Sequence, residues 1–211
     1  MQEVSLTAMI IILPLGPTVK AYLRRYGDRS PDFHIACPAC GNPAMHKHGR
    51  YWRSAVTSRR VLRVPVYRWR CKDCRAAVTV LPDFLAPYKQ FVSVVREGVM
   101  RRYACGWTIS EIASRACTDA ASGLSERTVT RWLAKARAKA ARWSEFLSNW
   151  LLLASPNAAL FAQSTRWNGP RALFQAFCAL GDLCRAAAPS GQAHPGLYAY
   201  CNGLLADLPR L

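Results

Sequence analysis

The sequence is poor in acidic residues and in histidine, which limits the chemistry it can perform. Its 211 residues include 12 Asp and Glu and four His. We find no grouping of Ser, His and Asp that suggests a nucleophilic triad and no glycine-rich loop that would cradle phosphates. We therefore expect no catalytic site and predict that the chain is not an enzyme.

Long apolar runs are also lacking. The longest early stretch, residues 8–15, has eight residues, whereas a membrane-spanning helix needs about 20. The residues before it carry Glu3 and no basic residue, unlike a secretory signal. We expect a cytoplasmic protein with no membrane partner, in which the nine cysteines do not form a disulfide framework.

Basic residues, by contrast, are abundant. The chain holds 29 Lys and Arg, for a formal net charge of +17. So large an excess favours a polyanionic partner such as nucleic acid.

Two pairs of cysteines form the most specific pattern. Cys37-Pro-Ala-Cys40 is followed by Cys71-Lys-Asp-Cys74. Two intervening residues allow a tight turn to direct both thiolates at one metal ion, and two such turns satisfy tetrahedral zinc. Because four sulfurs leave no open position, we predict one structural Zn²⁺. His46 and His48 are nearby alternatives as ligands but are better interpreted as surface residues, and the unpaired cysteines as buried apolar residues.

The segment between the two cysteine pairs is basic and aromatic. Residues 45–75 hold ten Lys or Arg against one acid, Asp73. The candidate nucleic-acid contacts here are Arg50, Arg53, Arg68 and Arg70. Interleaved aromatics would also suit RNA or single strands by stacking on bases, although some must form the small core.

A helical module follows. Thr108-Ile-Ser-Glu111 predicts a capping box that opens a helix over about 109–117, and Ser125 caps a second helix over about 126–143. The second helix carries a basic face opposite its apolar stripe, as a recognition helix does. Its candidate nucleic-acid contacts are Arg127, Thr128, Thr130, Arg131, Lys135 and Arg142.

These patterns predict an α+β chain with four segments. The first segment (1–35) contains a strand over Met9–Leu13 and a helix over 18–26. A small β zinc ribbon (36–87) follows, then a mainly helical helix-turn-helix module (88–143) and a helical tail of unknown role (144–211). Apolar residues at helical spacing begin at Tyr88, so we expect the first helix of the module to begin there and to end at Gly106.

Three motifs together resemble a known kind of protein. The first resembles the N-terminal zinc ribbon of bacterial insertion-sequence transposases, and it consists of Cys37-Pro-Ala-Cys40-Gly41, His48-Gly-Arg-Tyr51 and Tyr67-Arg-Trp-Arg-Cys71-Lys-Asp-Cys74. Leu81–Tyr88 is similar to the stretch after that ribbon in an uncharacterised transposase-like family, and 108–113 with 125–132 resemble the helix-turn-helix that follows.

The resemblance implies DNA binding without strand transfer. Arg75 departs from it, because the second cysteine pair is often followed by Gly. The segment after Trp143 also departs from it, since it has three acidic residues, whereas a ribonuclease-H-like nuclease needs acids for two metal ions.

Three functions remain open from the sequence. The first is a nucleoid-associated duplex-DNA binder, either a regulator or an accessory protein of a mobile element, and a possible homodimer. The second is the DNA-binding fragment of a decayed or split transposase that works with a separate catalytic chain. The third is an RNA-binding zinc-ribbon protein.

Overall fold

The structure is a computed structural model that describes residues 9–16, 18–32, 35–116, 123–157 and 169–187, without the side chains of 141 and 142. The predictions for Cys117, for most of the loop 118–124, for Cys201 and for the side chain of Arg142 lie outside the described part.

A four-stranded sheet forms the first half of the described chain. Its strands are β1 (Met9–Leu13), β2 (Met45–Val56), β3 (Val61–Cys71) and β4 (Ala77–Pro82), in the order β1-β4-β3-β2. β2–β3 and β3–β4 are antiparallel, whereas β1 is parallel to β4. The predicted strand over Met9–Leu13 is confirmed. It pairs with β4 and so belongs to the same sheet as β2–β4 of the predicted ribbon.

Helix α1 (Val19–Tyr26) covers part of one face of this sheet. Thr18 caps it by accepting a hydrogen bond from the Ala21 amide, 3.1 Å away. Two tyrosine hydroxyls then join helix and strand: Tyr22 donates to Pro65 O (2.8 Å), and Tyr67 donates to Tyr26 O (2.6 Å). Since the Tyr22 side chain is buried, its hydroxyl needs such a partner, and α1 is thereby fixed on β3.

Helices α2 (Ser93–Ala104), α3 (Ile109–Arg115), α4 (Glu126–Ala154) and α5 (Ala172–Ala187) follow. The predicted capping box is confirmed at α3, where Thr108 and Glu111 bond reciprocally. Ser125 caps α4 as predicted. α3 packs against α4, and α5 packs on both α4 and α2, so the chain is a mixed α+β fold, as expected from its sequence.

Two helix bounds differ from the sequence prediction. α2 begins at Ser93, because Ala86–Lys89 form a turn and Val92 is bonded to Val56 of β2. α4 does not end near residue 143 but continues to Ala154. Its apolar residues Leu147 and Leu151 are fully buried, and the Leu147 carbonyl accepts from the Cys184 thiol of α5.

A buried hydrophobic cluster extends from the sheet into the helices. It includes Val64 and Val66 of β3, Phe84, Met100 of α2 and Val129 of α4. Phe84 also meets Tyr22 edge to face, with ring centroids 5.5 Å apart. None of the described helices has the length and apolar character that crossing a bilayer requires.

Candidate metal centre and basic groove

The two cysteine pairs lie in turns of the same construction. In the first, the Cys37 amide donates to Asn42 O (2.8 Å). In the second, the Cys71 amide donates to Ala76 O (3.0 Å), which is the same spacing along the chain. The residue after the second cysteine has a left-handed backbone in both, with φ of 73° at Gly41 and 58° at Arg75. Arg75 therefore adopts the conformation usually given to glycine, and the departure noted in the sequence does not alter the turn.

Cross-links hold the two turns against one another. The Lys72 amide donates to Ala44 O at 3.1 Å, and the Asn42 side-chain amide donates to the Asp73 carboxylate. These bonds fix one cysteine pair relative to the other without using the thiols.

The four sulfurs of Cys37, Cys40, Cys71 and Cys74 form a single cluster. All lie within 4.8 Å of one another, and the Sγ–Sγ distance is 3.6 Å for Cys37–Cys74 and for Cys40–Cys71. A tetrahedron with a zinc–sulfur bond of about 2.3 Å has edges of about 3.8 Å. Cys37 and Cys71 are buried, and Cys40 and Cys74 are exposed. The cluster thus fits one metal ion, and its all-sulfur donor set suits zinc.

The protonation of this cluster favours a cation. Burial acts to raise the pKa of Cys37, but hydrogen bonds from the Ala39 and Cys40 amides lower it to about 7. An amide at Asn42 acts to lower the pKa of Cys40, but hydrogen bonds with neighbouring thiols, Cys74 first, raise it to about 12. The pKa of Cys37 is thus lowered and that of Cys40 is raised, and a divalent ion bound to both sulfurs would favour the thiolate form of each.

The remaining predicted ligand types lie elsewhere. His46 and His48 are exposed on β2, as predicted, and do not belong to the cluster found among the described residues. Cys178 and Cys184 are buried as predicted, whereas Cys105 is exposed, because it follows the last turn of α2 rather than occupying an apolar face.

The sheet arginines predicted to contact nucleic acid all have intramolecular partners. Arg50 donates to Gly27 O (3.0 Å) and lies over the Trp52 ring. Arg53 donates to both Ala86 O (3.2 Å) and Lys89 O (2.7 Å). Arg68 lies over Tyr51, and Arg70 donates to Arg75 O.

The candidate residues of α4 other than Arg142 lie together in its N-terminal part. Arg127, Thr130, Arg131 and Lys135 are exposed and Thr128 is half-buried. Within the described part of the chain, no hydrogen bond or ion pair is found for Arg127, Arg131 or Lys135. Thr128 bonds the capping Ser125, and Thr130 donates to Glu126 O, so these two threonines contribute to helix structure.

Two basic residues outside the predicted set extend this surface. A cavity of about 400 Å³ lies between α4 and the segment that leads into α2, and Lys89 and Arg96 line it together with Arg131 and Lys135. Trp132 forms part of its wall and meets Phe91 edge to face at 5.0 Å. We refer to the four basic residues and this cavity as the basic groove. Sequence patterns did not indicate Lys89 or Arg96, because their proximity to α4 depends on tertiary packing.

Comparison with known proteins gives a partial match. Residues 37–132 match a domain of unknown function, DUF6431. The matched stretch includes both cysteine pairs, strands β2–β4, helices α2 and α3 and the beginning of α4. No curated protein and no solved structure matches the chain.

Proposed function

We propose that this chain is a zinc-stabilised protein that binds duplex DNA and lacks a catalytic site, and that it is related to transposases or associated with a mobile element as a regulator or accessory protein. In this proposal Cys37, Cys40, Cys71 and Cys74 hold one structural Zn²⁺, α3 and α4 act as a helix-turn-helix, and α4 enters the major groove.

The observation that carries the proposal is the row of exposed basic residues on α4. Arg127, Arg131 and Lys135 recur every four residues, so they span about 12 Å along one side of the helix. Like charges so spaced on a helix repel one another, and duplex DNA would relieve this repulsion by presenting phosphates.

The packing of α3 and α4 supports the same mode. Both helices are capped at their N-termini, and Ile112 of α3 and Val129 of α4 are buried in the hydrophobic cluster. The first turns of α4 can thus project from a rigid base, which is how a recognition helix is presented to DNA. The transposase relationship rests only on the resemblance of the cysteine and helix motifs.

The experiment is a salt titration of zinc-loaded protein with duplex DNA, single-stranded DNA and hairpin RNA of random sequence. We expect duplex DNA to bind best, with log K falling linearly with log salt as phosphate contacts release counterions. Sequence selection on duplex DNA would then yield an enriched motif. Equal binding to all three probes, or none, would refute the proposal.

An RNA-binding protein is the second candidate, and one observation favours it. Trp52 is 44% exposed on β2, and the guanidinium groups of Arg50 and Arg63 lie 5.3 Å and 5.6 Å from its ring centroid. Such a ring is suited to stacking on an unpaired base. Preference for the hairpin in the same titration, lost in Trp52→Ala, would support this function instead.

A further inference from the structure

A strained turn projects an aromatic side chain beside the basic groove. The Lys89 amide donates to Ala86 O at 3.2 Å and closes a turn over residues 86–89. Pro87 occupies its second position and Tyr88 its third, with φ of 59°. A positive φ at the third position is typical of a type II turn, where Gly or Asn normally stands. A tyrosine there holds an unfavourable backbone conformation.

Packing of the ring does not compensate for this strain. Tyr88 is 84% exposed, so its burial contributes little to folding. Strained backbone conformations of this kind are often found at functional sites.

The turn is nonetheless held firmly in place. The Arg53 guanidinium donates to the carbonyls on both sides of Tyr88, those of Ala86 and Lys89. Beyond the turn, the Val56 amide donates to Gln90 O at 2.8 Å. Tyr88 is therefore projected from an anchored turn, and a partner that stacks on its ring would pay little for ordering it.

The surroundings of the ring have the chemistry of a nucleic-acid contact. Tyr88 lines the basic groove with Lys89, Arg96, Arg131 and Lys135. Cationic side chains around an aromatic ring are what a stacked base with flanking phosphates requires.

We propose that the Tyr88 turn is a second DNA-contacting element, in which the Tyr88 ring inserts at a base step of the duplex beside α4 while Lys89 and Lys135 hold the flanking phosphates. Arg53 is then a positioning residue that acts through the turn. This inference rests on the proposed function, since it assigns a further contact to the same interface.

The test compares Tyr88→Gly, Tyr88→Phe and the wild type on duplex DNA that contains 2-aminopurine. Glycine removes the ring and relieves the positive φ, so we expect a thermal unfolding midpoint no lower than that of the wild type together with binding at least about fivefold weaker. Phenylalanine keeps the stacking surface and should bind as the wild type does. The wild type and Tyr88→Phe should raise 2-aminopurine fluorescence by disturbing base stacking, and Tyr88→Gly should not.

The outcomes separate this inference from the proposed function. If wild type and Tyr88→Gly bind duplex DNA equally and give the same fluorescence, the Tyr88 contact is refuted while DNA binding stands. If the wild type does not bind duplex DNA at all, the proposed function itself fails. A loss in Tyr88→Gly confined to single-stranded DNA would also overturn stacking within a duplex.

Discussion

The basic side chains of the sheet and those of α4 differ in what they contact. Arg50, Arg53 and Arg70 donate to backbone carbonyls, whereas Arg131 and Lys135 are exposed and line the groove. A guanidinium bonded to a carbonyl keeps other N–H donors, but the bond fixes its position and uses part of its donor capacity, whereas a cation at an open surface can turn all its donors towards a phosphate. The basic residues behind the net charge of +17 therefore do not form one uniform surface. We expect changes on the sheet to affect folding and changes on α4 to affect binding.

The largest effect expected is from Cys71→Ser. Loss of one buried ligand should abolish tight metal binding and unfold the sheet, because structural zinc contributes about 10–16 kcal/mol in small zinc-finger peptides. Metal content by native mass spectrometry and strand content by circular dichroism would measure both effects. Cys105→Ser, which removes an exposed thiol outside the cluster, is the matched control and should change neither. A metal-free wild type with an unchanged unfolding midpoint would contradict the structural role.

The ligand cysteines are the part of the site that sequence predicts best. Each pair is a local turn signal, and only the approach of the two pairs depends on the fold. The turn at Tyr88 shows the opposite case. Its apolar spacing with Val92, Val95 and Val99 matches a helix, but Pro87 and the bonds to Arg53 hold it in a turn. Arg53 lies 33 residues from its acceptor Ala86, and no local pattern indicates such a contact.

The predicted end of α4 was wrong for a different reason. Its basic first half and apolar second half suggested two segments, but the change of composition reflects a change of surroundings. Arg137 donates to Pro170 O, next to α5, and Trp143 meets Phe177 of α5. A single helix therefore carries an open face at one end and a buried face at the other, and the sequence contains no Gly or Pro between Glu126 and Ala154 to divide it.

The next effect is a pH dependence at the junction between sheet and helices. Asp83 is 1% exposed, and its backbone bonds Leu13 of β1 and the Ser93 hydroxyl of α2. Burial raises the pKa of its carboxyl to about 7, partly offset by nearby backbone amides. The folded-state pKa of Asp83 therefore lies above that of the unfolded chain. The protonated carboxyl stabilises the folded protein at low pH, and this contribution to the free energy of unfolding is lost as the pH rises towards 7.

Asp83→Asn should remove that dependence. We expect the free energy of unfolding of the wild type, minus that of the variant, to fall between pH 4 and 7 by roughly 4 kcal/mol as an upper limit. Urea unfolding at several pH values would measure it. A difference independent of pH would mean that Asp83 is ionised in the folded protein.

Arg131→Ala tests the α4 side of the comparison. The variant should weaken duplex binding by about 1–3 kcal/mol if it contacts a base, or lower the salt slope by about one if it contacts a phosphate. Its unfolding free energy should stay within about 0.5 kcal/mol, as for other surface changes. Arg24→Ala, an equal loss of charge at an exposed position of α1, is the control. Equal weakening by both variants would indicate a general charge effect without a defined contact surface.

The smallest effect expected concerns the two cysteine turns. They share one backbone geometry, but the left-handed position is occupied by Gly41 in the first turn and by Arg75 in the second. Arg75→Gly should stabilise the metal-loaded protein by up to about 1 kcal/mol, since relief of about 1–2 kcal/mol of left-handed strain exceeds the entropy cost of glycine. The bond from Arg70 to the residue-75 carbonyl survives the change.

Gly41→Ala should destabilise the metal-loaded protein by a similar amount. A Cβ at this position meets nothing within 4 Å, so only the φ of 73° opposes the substitution. Thermal unfolding of both variants would show shifts of opposite sign. Shifts of the same sign would mean that Arg75 contributes through its side chain, and that the two turns are alike in geometry but not in energy.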